Sequence, residues 1–325
     1  MTDIEDIKRP IAAEMNAFEQ KFRQSMKSAV PLLDKITHYI VKRKGKQIRP
    51  MFVFLTAKAL GEINESTYRG ASLIELLHTA TLVHDDVVDE AYQRRGFFSI
   101  NALWKNKIAV LVGDYLLAKG LMLGIENREY KQLEIVSNAV KQMSEGELLQ
   151  IEKSRGVNLN EEVYFEIIRQ KTATLIASCC ACGAASVNAD DHTIEAVRQI
   201  GENIGIAFQI KDDLFDYGMS GKTGKPTGID IQEKKSTLPL IYAINKNHSS
   251  EARKMLSIVK RERKSAEEVG RVIDFVISSG GIEYATERMH DFAQKAIKDI
   301  DEILPASEAS DSLKKLVKYT IERQR

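Results

Sequence analysis

Leu76-Leu77-His78-Thr79-Ala80-Thr81-Leu82-Val83-His84-Asp85-Asp86-Val87-Val88-Asp89 sets three carboxylates at the end of an apolar run. On a helix, residues four apart are neighbours on one face, so Asp85 and Asp89 project together, with Leu77 and Thr81 on the same stripe below them. The pattern returns at Gln209-Ile210-Lys211-Asp212-Asp213-Leu214-Phe215-Asp216. There Gln209, Asp212 or Asp213, and Asp216 fall on successive turns of one face. Like charges at this spacing repel by roughly a few tenths of a kcal/mol, so two such clusters on apolar helices point to a cation held between them. Hard oxygen ligands without Cys or His favour magnesium over zinc. A single D-D-x-x-D reads equally well as a solvated helix end. Two of them, each embedded in apolar sequence and followed by cations, do not.

Working outward, Met51 to Lys225 contains no proline, and only six occur in the 325 residues. Proline breaks helix interiors, so this run with helical apolar spacing predicts stacked helices and no sheet. Helices are expected at 3–28, 32–44, from Pro50, and at 65–89, 100–124, 129–153, 161–186, 191–217, 236–245, 249–263, 266–279, 282–303 and 307–323. No break resembles an interdomain linker, so one domain over 1–325 is expected: an all-α, antiparallel helical bundle around a deep cavity.

Lys plus Arg total 47 against 46 for Asp plus Glu. This balance offers no general attraction to nucleic acid, so any anion site must be local. Cys179, Cys180 and Cys182 lie too close together for a disulfide framework, which fits a reducing cytoplasm. No run approaches the roughly 20 apolar residues that span a bilayer. Asp190-Asp191-His192 reads as a helix N-cap, and the basic tail Arg323-Gln324-Arg325 reads first as solvated termini, with help in closing a site as the lesser reading.

A magnesium cluster alone cannot hold a diphosphate, which also needs donors such as Arg and Lys. Arg94-Arg95-Gly96 follows the first motif, and Lys211, Lys222, Lys225 and Lys235 surround the second. Lys46 and Arg49 stand at a helix start, where free N–H groups favour anions.

These residues spell out G-K-Q-I-R-P (45–50), the first acidic run, R-R-G (94–96), G-D-Y-L (113–116), G-E-L-L-Q (146–150), K-T-A (171–173), F-Q-I-K-D-D-L-F-D (208–216) and G-K-P-T-G-I-D-I-Q-E-K-K-S-T-L-P (224–239). In this order the chain resembles the trans-isoprenyl diphosphate synthases, closest to the long-chain octaprenyl and solanesyl type. The resemblance implies three magnesium ions, with manganese as a substitute, held by Asp85, Asp86, Asp89, Asp212, Asp213 and Asp216. It implies that Arg94, Lys171, Lys225 and Lys235 hold an allylic diphosphate, farnesyl or geranyl. Lys46, Arg49, His78 and Arg95 would hold isopentenyl diphosphate, and Thr172 and Gln209 would flank the reacting carbons. A homodimer and transient membrane contact for product release are implied in the same way.

Short-chain members of that family place Phe or Tyr where this chain has Ala80 and Thr81, so a tunnel passing these and Leu77 is expected to stay open. A helix rises about 5.4 Å per turn, roughly one extended isoprene unit, and a tunnel several turns deep would hold about eight or nine units. Leu73, Met122 and Val136 are further candidates for its floor, and a quinone side-chain precursor is the natural product. A farnesyl or geranylgeranyl synthase, a terpene cyclase and a non-catalytic subunit are the alternatives. A cyclase would not need Lys46, Arg49 and His78, and non-catalytic subunits have eroded motifs.

Overall fold

The structure, a computed structural model, describes residues 4–42, 45–94, 97–218, 227–247 and 249–323. Among these lie sixteen α-helices: α1 (Ile4–Lys8), α2 (Ala12–Ser25), α3 (Pro31–Lys42), α4 (Ile48–Leu60), α5 (Glu65–Val88), α6 (Ile100–Glu126), α7 (Tyr130–Ser154), α8 (Glu161–Ile168), α9 (Thr174–Ser186), α10 (Asp191–Asp216), α11 (Ile229–Gln232), α12 (Leu238–Lys246), α13 (Ser250–Lys260), α14 (Ala266–Ser278), α15 (Gly281–Ile303) and α16 (Glu308–Glu322). Polar side chains cap several of them. Asn64 and Thr67 form a reciprocal cap on α5, as do Ser265 and Glu268 on α14, and Asp190 accepts from the Thr193 amide at 2.7 Å. Each satisfies amide groups that a helix start leaves without partners.

Four expectations need correction. The first expected helix is divided at Pro10, where a 3₁₀ turn (Arg9–Ile11) separates α1 from α2, because proline lacks the N–H that would continue the ladder. A two-stranded antiparallel hairpin, β1 (Gln93–Arg94) and β2 (Phe97–Phe98), follows the first acidic motif, although no strand pattern is legible in so short a stretch. The four-residue α11 is also unforeseen. Finally, α6 is long and apolar enough, by length and composition, to cross a bilayer. Here it packs one face along α5 and leaves Val110, Leu111, Met122 and Ile125 exposed on the other.

The core is organised by α10, which runs between α9 and α15, while α9 also crosses α4 and α7. Glycines set these distances. A Cβ on Gly205 would stand 2.4 Å from the Ala173 Cα, one on Gly201 2.7 Å from the Ala177 Cα, and one on Gly146 of α7 2.8 Å from the Lys171 nitrogen. The contact matters because the expected helix 161–186 is not continuous. Residues Arg169–Ala173 form a π-helical turn, closed by the Thr174 amide donating to the Arg169 carbonyl. Such turns displace side chains from the regular helical stripe and recur at functional sites. This one carries Lys171 and Thr172, gripped from two sides by backbone-on-backbone contacts. Gly205→Ala is therefore expected to destabilise the fold by about 1–3 kcal/mol, seen as an earlier transition in chemical denaturation followed by circular dichroism.

Candidate active site

The six motif carboxylates divide by burial. Asp85 and Asp89 are exposed and Asp212 half-exposed, while Asp86, Asp213 and Asp216 are buried. Burying an ionised carboxylate is costly unless donors replace the lost water, and those donors are present for the second motif. Asp213 Oδ2 accepts from the Tyr164 hydroxyl at 2.8 Å and Oδ1 from Gln209 Nε2 at 2.9 Å. Asp216 accepts the Ile229 and Asp230 amides, at 2.9 and 3.0 Å, on its two oxygens. It thereby caps α11, which begins after Gly228 in the left-handed region (φ 80°).

Burial pushes the Asp213 carboxyl up to about 7, the Asp230 charge adds to the rise, and the hydrogen bonds from Gln209 and Tyr164 oppose it. Thr172 Oγ1 continues this network by donating to Gln209 Oε1 at 2.8 Å.

A cavity collects Tyr164, Lys171, Thr172, Gln209, Asp213 and Lys235, so five residues singled out from the sequence share one wall. The two lysines carry partners there. Lys171 pairs with Glu147 at 2.5 Å and donates to Gln150 at 3.2 Å. Lys235 lies 2.6 Å from Glu233 and 3.5 Å from Asp230. Burial works against the Lys235 ammonium, but Asp230 and Glu233 outweigh it and hold the group above the usual lysine value.

The first motif lies outside that lining, at the C-terminal end of α5. His84 holds it against α6, with Nε2 3.3 Å from the Val110 carbonyl and 3.4 Å from Asp114. Gly113 makes room, since a Cβ there would fall 2.2 Å from that nitrogen. The G-D-Y-L run is thus a notch and a partner for His84. Below it Leu77 and Ala80 are buried and Thr81 is half-buried, and Leu77 lies over Gly120, where a Cβ would approach to 3.3 Å. Leu73 and Val136 are buried, and Met122 is 48% exposed on the outer face of α6.

Arg49 is half-buried at the start of α4 and His78 is buried on α5. Lys46 lies 5.2 Å from the centre of the Tyr319 ring of α16. The tail expectation also needs correction. Arg323 pairs with Asp212 and packs 4.0 Å from the centre of the Phe208 ring, so it is part of the site and not a solvated end. Sequence reasoning missed Tyr164 too, which looks like any helical aromatic until its hydroxyl partner is known. Arg95, Lys222, Lys225, Gln324, Arg325 and the Arg94 side chain lie outside the described residues.

Among the described residues no three carboxylate, imidazole or thiol groups converge as a ready metal cage. The three cysteines suit neither a metal nor a nucleophile. All are buried, and burial pushes the Cys180 thiol up to about 12.

The Polyprenyl synthetase family matches residues 30–276. An all-trans-nonaprenyl-diphosphate synthase (geranyl-diphosphate specific) from Rhodobacter capsulatus is 36% identical over 98% of both chains. Among solved structures, a decaprenyl diphosphate synthase from Rhodobacter capsulatus superposes with a TM-score of 0.93 at 32% identity, covering 99% of this chain and 100% of that one. A polyprenyl synthase from Caulobacter crescentus CB15, complexed with calcium and isoprenyl diphosphate, gives 0.90 at 34%, covering 99% and 98%.

Asp216→Asn keeps the shape of the α11 cap but leaves one acceptor oxygen for two amides. The Ile229 and Asp230 amides are expected to exchange with deuterium about tenfold faster, the equivalent of one buried hydrogen bond lost. Unchanged exchange would remove the capping role.

Proposed function

The chain belongs to the polyprenyl synthetase family, and we propose that this prenyltransferase adds isopentenyl diphosphate head to tail onto farnesyl or geranyl diphosphate, giving an all-trans product of about eight or nine isoprene units, one per helical turn of tunnel. The observation that carries the reading is the shared division of the two motifs. Asp85, Asp89 and Asp212 are turned outward, while Asp86, Asp213 and Asp216 are buried. The outward carboxylates are the proposed metal ligands, and Asp213 and Asp216 hold them in place.

Magnesium, when bound, offsets the charge that grows on the departing diphosphate. Lys171, Lys235, Arg94 and Lys225 are proposed to hold that diphosphate, which requires Lys171 to leave Glu147 and Lys235 to leave Glu233. Their charges favour cleavage of the allylic C–O bond to a delocalised carbocation. Lys46, Arg49, His78 and Arg95 present isopentenyl diphosphate, whose terminal double bond attacks the cation. The proton lost from the adjacent carbon goes to the released diphosphate, so no protein base is invoked. Water is kept from the cation by burial of the α5 and α6 faces around Leu77 and Ala80.

Small residues at Ala80 and Thr81 support the long product, whose use would be a quinone side chain. The exposed apolar face of α6, continued by Leu148 and Ile151 of α7, supports a homodimer, since faces of this kind mark protein contacts. Buried, unpaired cysteines accord with a reducing cytoplasm, and the whole chain is taken as one catalytic domain.

Purified protein incubated with magnesium, farnesyl diphosphate and labelled isopentenyl diphosphate, with the dephosphorylated products sized by chromatography, tests activity and length together. Asp85→Asn or Asp212→Asn should lower turnover about 10²–10³-fold with the helical circular dichroism retained. Ala80→Phe should shorten the product; an unchanged length distribution would reject the tunnel assignment.

A further inference from the structure

We propose that Tyr164 is a positioning residue: through Asp213 and Gln209, its hydroxyl fixes the direction of a hydrogen-bond chain that leaves Thr172 only lone pairs to offer the cavity. The four groups form one unbroken series. Tyr164 donates to Asp213 Oδ2 at 2.8 Å, Gln209 Nε2 donates to Oδ1 at 2.9 Å, and Thr172 Oγ1 donates to Gln209 Oε1 at 2.8 Å. Tyr164 and Asp213 are buried, whereas Gln209 and Thr172 are half-buried where they line the cavity.

The direction follows from the donor inventory. With Asp213 ionised, both of its oxygens accept and the carboxylate faces the NH₂ side of Gln209, which turns the amide oxygen toward Thr172, the arrangement observed. A hydroxyl has a single proton, and Thr172 commits it to that oxygen. Thr172 can then accept from, or stabilise, a positive centre in the cavity, and it cannot donate to a departing diphosphate. Without the Tyr164 hydroxyl, Oδ2 loses that donor, the carboxylate is free to rotate, and the Gln209 amide can flip. Thr172 would then be left with no assigned polarity. The π turn adds to the effect by delivering Thr172 and Lys171 off the helical stripe, so the polarity is fixed beside the lysine expected to hold the diphosphate.

This inference rests on the prenyltransferase reading, in which positive charge develops on the allylic carbons only in the transition state. An interaction of that kind lowers kcat without changing KM when it is lost. The experiment measures kcat, KM for both diphosphates and melting temperature for the wild type, Tyr164→Phe, Thr172→Val and the double variant. Tyr164→Phe is expected to lower kcat about tenfold, as for loss of an indirect electrostatic partner, with KM values unchanged within about twofold.

In the Thr172→Val background the same substitution should have little further effect, because the two residues act through one chain. Independent, multiplying losses, a rise in KM at constant kcat, or wild-type kcat in Tyr164→Phe would each overturn the proposal. If Tyr164→Phe does not fold, Gln209→Met cuts the chain one link later, and wild-type kcat in that variant overturns it as well. An inert wild type would remove the underlying reading together with the proposal. An active wild type with an unaffected Tyr164→Phe removes the proposal alone.

Discussion

A buried carboxylate must be given its own donors, and α10 ends in three carboxylates at the edge of a packed core. Asp213 and Asp216 go inward, and the fold answers with Tyr164, Gln209 and the first amides of α11. Leaving such groups unpaired would cost several kcal/mol each. Because both are satisfied, the helix end is rigid and Asp212 is turned to the rim, where Arg323 meets it. The elements that furnish those donors, α8 and α11, are short and would have little reason to form alone.

The first motif solves a similar problem with a different device. Asp86 goes inward, and its backbone carbonyl accepts from Asn101 of α6 at 2.9 Å, while His84 locks into the Gly113 notch beside Asp114. The helix end is held to α6 by its histidine and its backbone, which leaves Asp85 and Asp89 outward on one face. Neither motif closes a metal cage by itself.

Close backbone contact is the second theme. Gly146 and Gly205 let α7 and α10 press on the π turn, where any Cβ would collide with backbone, and Gly201 lets α10 close on α9 just beyond it. A π turn inside a helix loses regular hydrogen bonding and survives where surrounding packing over-determines it. The glycines supply that packing and deliver Lys171 and Thr172 to the cavity wall. The helix α6 presents two different faces. Its Gly113 and Gly120 face is fitted to α5, and its leucine- and methionine-bearing face is left outward.

The residue pattern alone determined the helical class, most helix starts and the identity of the acidic and basic residues, because periodicity and capping are local properties. It also yielded the cavity residues Lys171, Thr172, Gln209, Asp213 and Lys235 through their motif order. It treated the six aspartates as equivalent metal ligands and took Arg323 for a solvated tail. Only the tertiary structure separated the outward carboxylates from the buried ones, because which face of a helix end is buried depends on helices far away in the chain. Tyr164 lies 49 residues from Asp213 and Arg323 lies 111 from Asp212. No local spacing rule could join either pair, since the contacts exist only once α8, α10 and α16 have packed.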